Sequence, residues 1–291
     1  MTFKLSLEHK IKLAGSPLCL GVDPHFHGLP NFMEKMIEAK GAPYFLEWFG
    51  ESLLTAAKEQ NVAAVKFQAA FFEAQGIKGH KVLENLLKKS KNLGVTSILD
   101  AKRGDISSTM EAYGKAAFEA MEADILTVTP YMGFDVIKPL EPWLKNGKGV
   151  YVVWMSSNPS GKDIQEITGQ DGKLVSESLF DIIQTQALNF GFPDSIGYVL
   201  GATKVDGLSA GLFEKIKHSP LLMPGVGAQG ATTNDKRIQE LMAMNIHLIP
   251  VSRGISGYGK GYQDNGLADV VESNYPEFIA TKIRAFNTDL A

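Results

Sequence analysis

Four charged side chains fall within six positions of the segment LDAKRGDIS, residues 99 to 107, directly after the apolar run Val95-Thr96-Ser97-Ile98-Leu99. Residues two apart on a strand face the same side, so Asp100 and Lys102 project together if the extended backbone continues to residue 102. A D-x-K-x-x-D match standing alone, here Asp100, Lys102 and Asp105, reads first as a structural ion-pair network at a strand end. A second constellation argues for more. Gly225, Gly227 and Gly230 in PGVGAQG let backbone N–H groups approach an anion, Gln229 adds an amide donor, and Arg253 in SRG supplies a planar cationic fork suited to phosphate oxygens.

These residues need elements that bring them together. Short apolar stretches recur at 18–23, 62–67, 95–100, 124–129, 149–154, 196–200, 221–225 and 246–251, with helical patterns between them. Eight near-continuous apolar strands alternating with helices in about 250 to 300 residues imply a closed (β/α)8 TIM barrel, with eight parallel strands inside surrounding helices. A doubly wound open sheet is the alternative architecture. The whole chain, 1–291, reads as one catalytic domain, with a helical insertion at 24–61, holding helices near 32–40 and 44–60, and a long loop and helix at 155–195. Ser108 and Glu111 suggest a capping box, with Met110, Tyr113, Ala117 and Met121 along one helical face. In such a barrel the C-terminal strand ends meet at one mouth, which would gather Asp23, Lys66, Asp100, Lys102, Ser156, the PGVGAQG loop and Arg253.

Composition narrows the ligand. Hydrophobic residues make up 44% of the chain and charged residues 21%, the balance of an ordinary globular protein. Lys and Arg number 29 against 32 Asp and Glu, a formal charge of −3 that leaves no electrostatic footprint for nucleic acid or an anionic membrane. A small ligand is expected. One cysteine, Cys19, excludes an intrachain disulfide, and the start MTFKLSLEHKIKLAGS lacks a signal-peptide core, so a cytoplasmic setting is expected.

With these motifs in view, the chain resembles the orotidine 5′-phosphate decarboxylase family, in its longer bacterial (type 2) branch. LDAKRGDI resembles the family's Asp-x-Lys-x-x-Asp signature, LGVDP its first-strand aspartate motif, VKF its second-strand lysine, MSS its pyrimidine-contacting serine, PGVGAQG its phosphate loop and SRGI its phosphate arginine. The resemblance implies a cofactor-free decarboxylation of orotidine 5′-monophosphate to uridine 5′-monophosphate (UMP). Lys102 would be the proton donor, Asp100 would lie beside the departing carboxylate, Lys66 would hold the alternating charges together and Asp23 would contact the ribose. It also implies a homodimer in which Asp105 and Thr109 reach into the neighbouring subunit's site. Ser156 would read the pyrimidine, although Ser157 could serve instead, while Gln229, Gly230, Arg253 and Gly254 would surround the phosphate.

The remaining motifs read more plainly. RGD at 103–105 is a common tripeptide, and His25 and His27 without an evident third ligand read as loop residues, so no metal is assigned. GYGKGYQDNG at 257–266 reads as a flexible connection, Cys19 as a core residue, and Phe67, Phe71 and Phe72 as packing. Two rivals stand beside the decarboxylase. One is a magnesium-dependent keto-sugar phosphate decarboxylase of the same barrel type, in which an acidic ligand would replace Lys66. The other is a non-catalytic nucleotide sensor.

Overall fold

The computed structural model describes residues 1–226 and 234–290. Eight strands, β1 Leu18–Val22, β2 Ala64–Gln68, β3 Ser97–Arg103, β4 Ile125–Val128, β5 Gly149–Met155, β6 Ile196–Leu200, β7 Leu221–Leu222 and β8 Ile249–Val251, form one parallel sheet. Its order, β7-β6-β5-β4-β3-β2-β1-β8, places β7 and β8 at the two ends, and a parallel bridge between Leu222 and Leu248 joins those ends into a barrel. An open sheet would have two free edges, so that alternative is excluded. The helices are α1 Phe3–Ala14, α2 Asn31–Lys40, α3 Ala42–Glu59, α4 Ala69–Glu73, α5 Gly76–Leu93, α6 Ser107–Gly114, α7 Glu141–Leu144, α8 Lys162–Gln165, α9 Val175–Phe190, α10 Ala210–Ile216, α11 Lys236–Ala243, α12 Arg253–Ser256 and α13 Tyr275–Leu290.

Strand alternation divides the apolar residues between two cores. Leu18, Leu20, Val65, Phe67, Leu99, Leu126, Val150 and Val152 belong to the larger core that includes residues of the surrounding helices. Cys19, Ala64, Ile98, Ile125, Tyr151, Leu222 and Leu248 form a separate core with Phe3, Leu7 and Ile11 of α1. That helix, unanticipated from the sequence, is held by Thr2 accepting from the Leu5 N–H at 3.4 Å and by Gly15 at φ 68. It fills the lower barrel with residues four apart. Two positions further along the same strand faces come Lys66, Asp100 and Thr127, so period-2 alternation sets polar groups above this apolar floor.

Three local expectations need correction. Helix α6 starts at Ser107 with Ile106 as its N-cap and no side-chain cap, so the Ser108 capping box does not form; Tyr113 is exposed while Met110, Ala117 and Met121 are buried. Asp105 Oδ1 instead accepts the Ile106 N–H at 2.8 Å, ordering the chain just ahead of the helix. The segment 257–266 is not a plain connection: Tyr258–Gly259 and Tyr262–Gln263 pair as a small antiparallel hairpin, β9 and β10. The extended backbone of β3 also has an irregularity between Leu99 and Arg103, described below.

Candidate active site

Asp100 organises the barrel mouth. Its side chain is almost fully buried, and all its acceptor directions are used. Oδ1 accepts from Lys102 Nζ at 2.6 Å and from Thr127 Oγ1 at 3.0 Å, while Oδ2 accepts from Lys66 Nζ at 3.1 Å and from Gln68 Nε2 at 3.0 Å. Burial alone would favour the neutral acid, but the Lys66 and Lys102 ammonium groups outweigh it and hold the Asp100 pKa at about 2. The carboxylate is therefore a fixed negative charge at any physiological pH.

Lys102 reaches Asp100 through a departure from regular strand geometry. Its φ is 46, the left-handed region that a lysine adopts at an energetic cost, and its N–H donates to Thr127 Oγ1 at 2.9 Å. Thr127 thus ties the kinked backbone of Lys102 to the carboxylate that its side chain meets. The Lys102 side chain is 46% exposed, against 9% for Asp100, so the ammonium borders the open mouth. Gly104 permits the next turn, since a Cβ there would lie 2.2 Å from Thr129 Oγ1.

Lys66 lies between two carboxylates, 3.1 Å from Asp100 Oδ2 and 3.4 Å from Asp23 Oδ1. Desolvation disfavours its charge, yet Asp23 and Asp100 together raise its pKa above the usual lysine range. The order Asp23, Lys66, Asp100, Lys102 is an alternating chain drawn from β2, β3 and the end of β1. The close approach of β1 and β8 beneath it requires a glycine: a Cβ on Gly21 would fall 2.0 Å from Ser252 Oγ.

The other expected residues are placed less uniformly. Asp105 is half-buried, Thr109 is exposed, and neither pairs with Lys102 among the described residues. Ser156 is half-buried; its N–H donates to Gln165 Oε1 at 3.0 Å and its Oγ accepts from Gln165 Nε2 at 2.9 Å, whereas Ser157 packs against Gly201. Arg253 opens α12 on the exposed rim, its Nη1 donating to the Lys260 carbonyl at 3.3 Å within the β9–β10 hairpin. Gly254 lies beneath α13, where a Cβ would meet Phe286 at 2.8 Å. Gly225 has φ 103, suited to a tight turn. Gly227, Gln229 and Gly230 lie outside the described residues.

Sequence reasoning missed Gln68, Thr127 and Gln165. The first two carry a faint signal, as polar residues in apolar strands at alternate positions. Gln165 carries none, being polar in a polar segment. The residues read as structural also have clear placements: Cys19 is buried, which pushes its thiol up to about 12, and His25 packs edge-on to Phe71 with a centroid distance of 4.5 Å.

Comparison with known proteins places this geometry in context. Residues 16–262 match the model of the Orotidine 5'-phosphate decarboxylase / HUMPS family. The orotidine 5'-phosphate decarboxylase of Myxococcus xanthus is 37% identical over 238 residues, covering 76% of each chain. That of Salinispora tropica is 34% identical over 276 residues, covering 90% of this chain and 94% of the relative. The structure of Leishmania donovani OMP decarboxylase superposes with a TM-score of 0.67 at 25% identity, covering 99% of both chains.

Proposed function

The chain belongs to the orotidine 5′-phosphate decarboxylase / HUMPS family, and from that premise we propose that it converts orotidine 5′-monophosphate to UMP and CO2. It acts as a carboxy-lyase of pyrimidine biosynthesis, a single-domain cytoplasmic homodimer. One observation carries the reading within the family: a lysine, Lys66, stands between Asp23 and Asp100, and a second, Lys102, closes the chain at the mouth. The keto-sugar rival would need an acidic metal ligand at position 66; an ammonium there repels a divalent cation. The sensor rival has no use for a strained, exposed lysine.

The chemistry follows from where charge develops. Breaking the C6–carboxylate bond leaves an electron pair in the ring plane that the ring delocalises poorly. A preoriented Lys102 ammonium beside C6 stabilises that pair and then transfers a proton to it, while CO2 leaves and solvent restores the lysine proton. Asp100, ionised and beside the departing carboxylate, keeps Lys102 oriented; Lys66 keeps Asp100 from repelling Asp23. Asp23 binds the ribose, Ser156 the pyrimidine, and Arg253 with Gln229, Gly230 and the Gly254 backbone the phosphate. That remote phosphate binding contributes to turnover by closing the site around desolvated charges. Asp105 and Thr109 complete the partner subunit's site, a reading supported by their freedom from Lys102 in their own chain and by the exposed Ile106, Tyr131 and Met132 on adjacent loops.

The test is loss of orotidine monophosphate absorbance with the purified protein. Turnover should persist with a chelator present and fall by at least about 10³-fold in Lys102→Ala, the combined loss of a general acid and a preorganised charge. UMP binding without turnover would instead support the sensor.

A further inference from the structure

The clasp between Ser156 and Gln165 has a fixed polarity. A backbone N–H can only donate, so the group of Gln165 facing the Ser156 N–H at 3.0 Å must be the amide oxygen. The amide nitrogen is then the group 2.9 Å from Ser156 Oγ, and since that nitrogen can only donate, the hydroxyl must accept. With its N–H occupied and one lone pair filled, Ser156 is left with an O–H proton aimed away from Gln165.

The surroundings are built to hold this arrangement. Buried Gly161 leaves the space it needs, because a Cβ there would lie 2.9 Å from both Gln165 Oε1 and Ser156 Oγ. The next residue, Glu166, pairs with Lys204 at 2.6 Å, tying the end of α8 to the segment after β6.

Resting on the decarboxylase reading above, we propose that Gln165 is a positioning and specificity-determining residue: by filling one lone pair of Ser156 and taking none of its protons, it keeps the Ser156 O–H free to donate to a pyrimidine ring carbonyl, a bond that an acceptor at residue 165 would take away. Gln165 touches no reacting atom and acts only through Ser156.

Gln165→Glu tests this, because the replacement is nearly isosteric and reverses one hydrogen bond. A carboxylate oxygen can still accept the Ser156 N–H, but the other oxygen must also accept, drawing the Ser156 proton towards residue 165 and turning a lone pair to the ligand. Calorimetric binding of UMP and of cytidine monophosphate (CMP) should show UMP affinity falling about tenfold and CMP affinity changing less than about twofold, the scale of one hydrogen bond. Both ligands carry the same phosphate, so a general charge effect cancels in their ratio. Gly161→Ala, which crowds the clasp without adding charge, should narrow the ratio in the same direction. Equal losses for UMP and CMP in both variants, or an unchanged ratio, would overturn the positioning role. If the native protein turns over orotidine monophosphate and the ratio stays fixed, only this inference fails. A shifted ratio in a protein without turnover would sustain it and remove the decarboxylase.

Discussion

At the scale of residues, the site is an arrangement of alternating charges in which the Lys66 and Lys102 ammonium groups hold Asp100 ionised against its burial. Lys66→Ala removes the cation between Asp23 and Asp100 and leaves buried Asp100 and half-buried Asp23 undercompensated. Urea unfolding should show a loss of about 3–5 kcal/mol, the usual cost of breaking a buried pair from one side; a loss below about 1 kcal/mol would mean that Lys66 is not holding the carboxylates together. The pH window follows from the shifts. Asp100, lowered from 3.8 to about 2, contributes stability that is present above pH 3.8 and is lost as pH falls through about 2. Lys66, raised above 10.5, contributes stability that is intact below pH 10.5 and is lost at higher pH. Asp23, Lys66, Asp100 and Lys102 were legible in the sequence because charges at strand ends contrast with apolar surroundings. Gln68 and Thr127 were not, since their importance comes from register: Gln68 stands opposite Asp100 across β2 and β3.

At the scale of elements, the barrel is only as closed as its β7–β8 seam. The Met223 N–H donates to the Leu248 carbonyl at 2.8 Å, the Leu248 N–H to the Leu221 carbonyl at 2.7 Å, and the Leu221 N–H to His247 Nδ1 at 3.2 Å. Burial lowers the His247 pKa from 6.5 to about 3, so this nitrogen stays an acceptor in the folded protein while the unfolded chain takes up a proton. Stability should therefore fall as pH drops from 6.5 towards 3, by up to about 1.4 kcal/mol per pH unit from this group. His247→Asn, which keeps an acceptor and does not titrate, should flatten that slope in urea unfolding at stepped pH; parallel slopes would assign the acid sensitivity elsewhere. All eight strands were legible from their apolar runs, but β7 and β8 proved shorter than those runs, spanning Leu221–Leu222 and Ile249–Val251. The β9–β10 hairpin was hidden because its glycines and polar residues read equally well as a connection. It nevertheless supports Arg253, which the sequence placed at the mouth without showing what steadies it.

At the scale of the whole molecule, we propose that the Lys102 centre is completed across two polypeptides. No helix among the described residues is long and apolar enough to cross a membrane, and Ile106, Tyr131 and Met132 are exposed apolar groups. The barrel was legible because eight strands and helices alternate along the chain, whereas α1 was not, since its three buried residues matter only once a barrel exists for them to fill. The most direct test is subunit complementation. Lys102→Ala and Asp105→Ala proteins, each inactive alone, are mixed, unfolded and refolded together, and turnover of orotidine monophosphate is measured. Random pairing in a two-fold dimer makes about half the dimers mixed, and each mixed dimer holds one site with both residues intact, so about a quarter of native turnover should return. A mixture as inactive as its components, despite mixed dimers being present, would mean that Lys102 and Asp105 serve the same site from one chain, and would rule out a site shared between subunits.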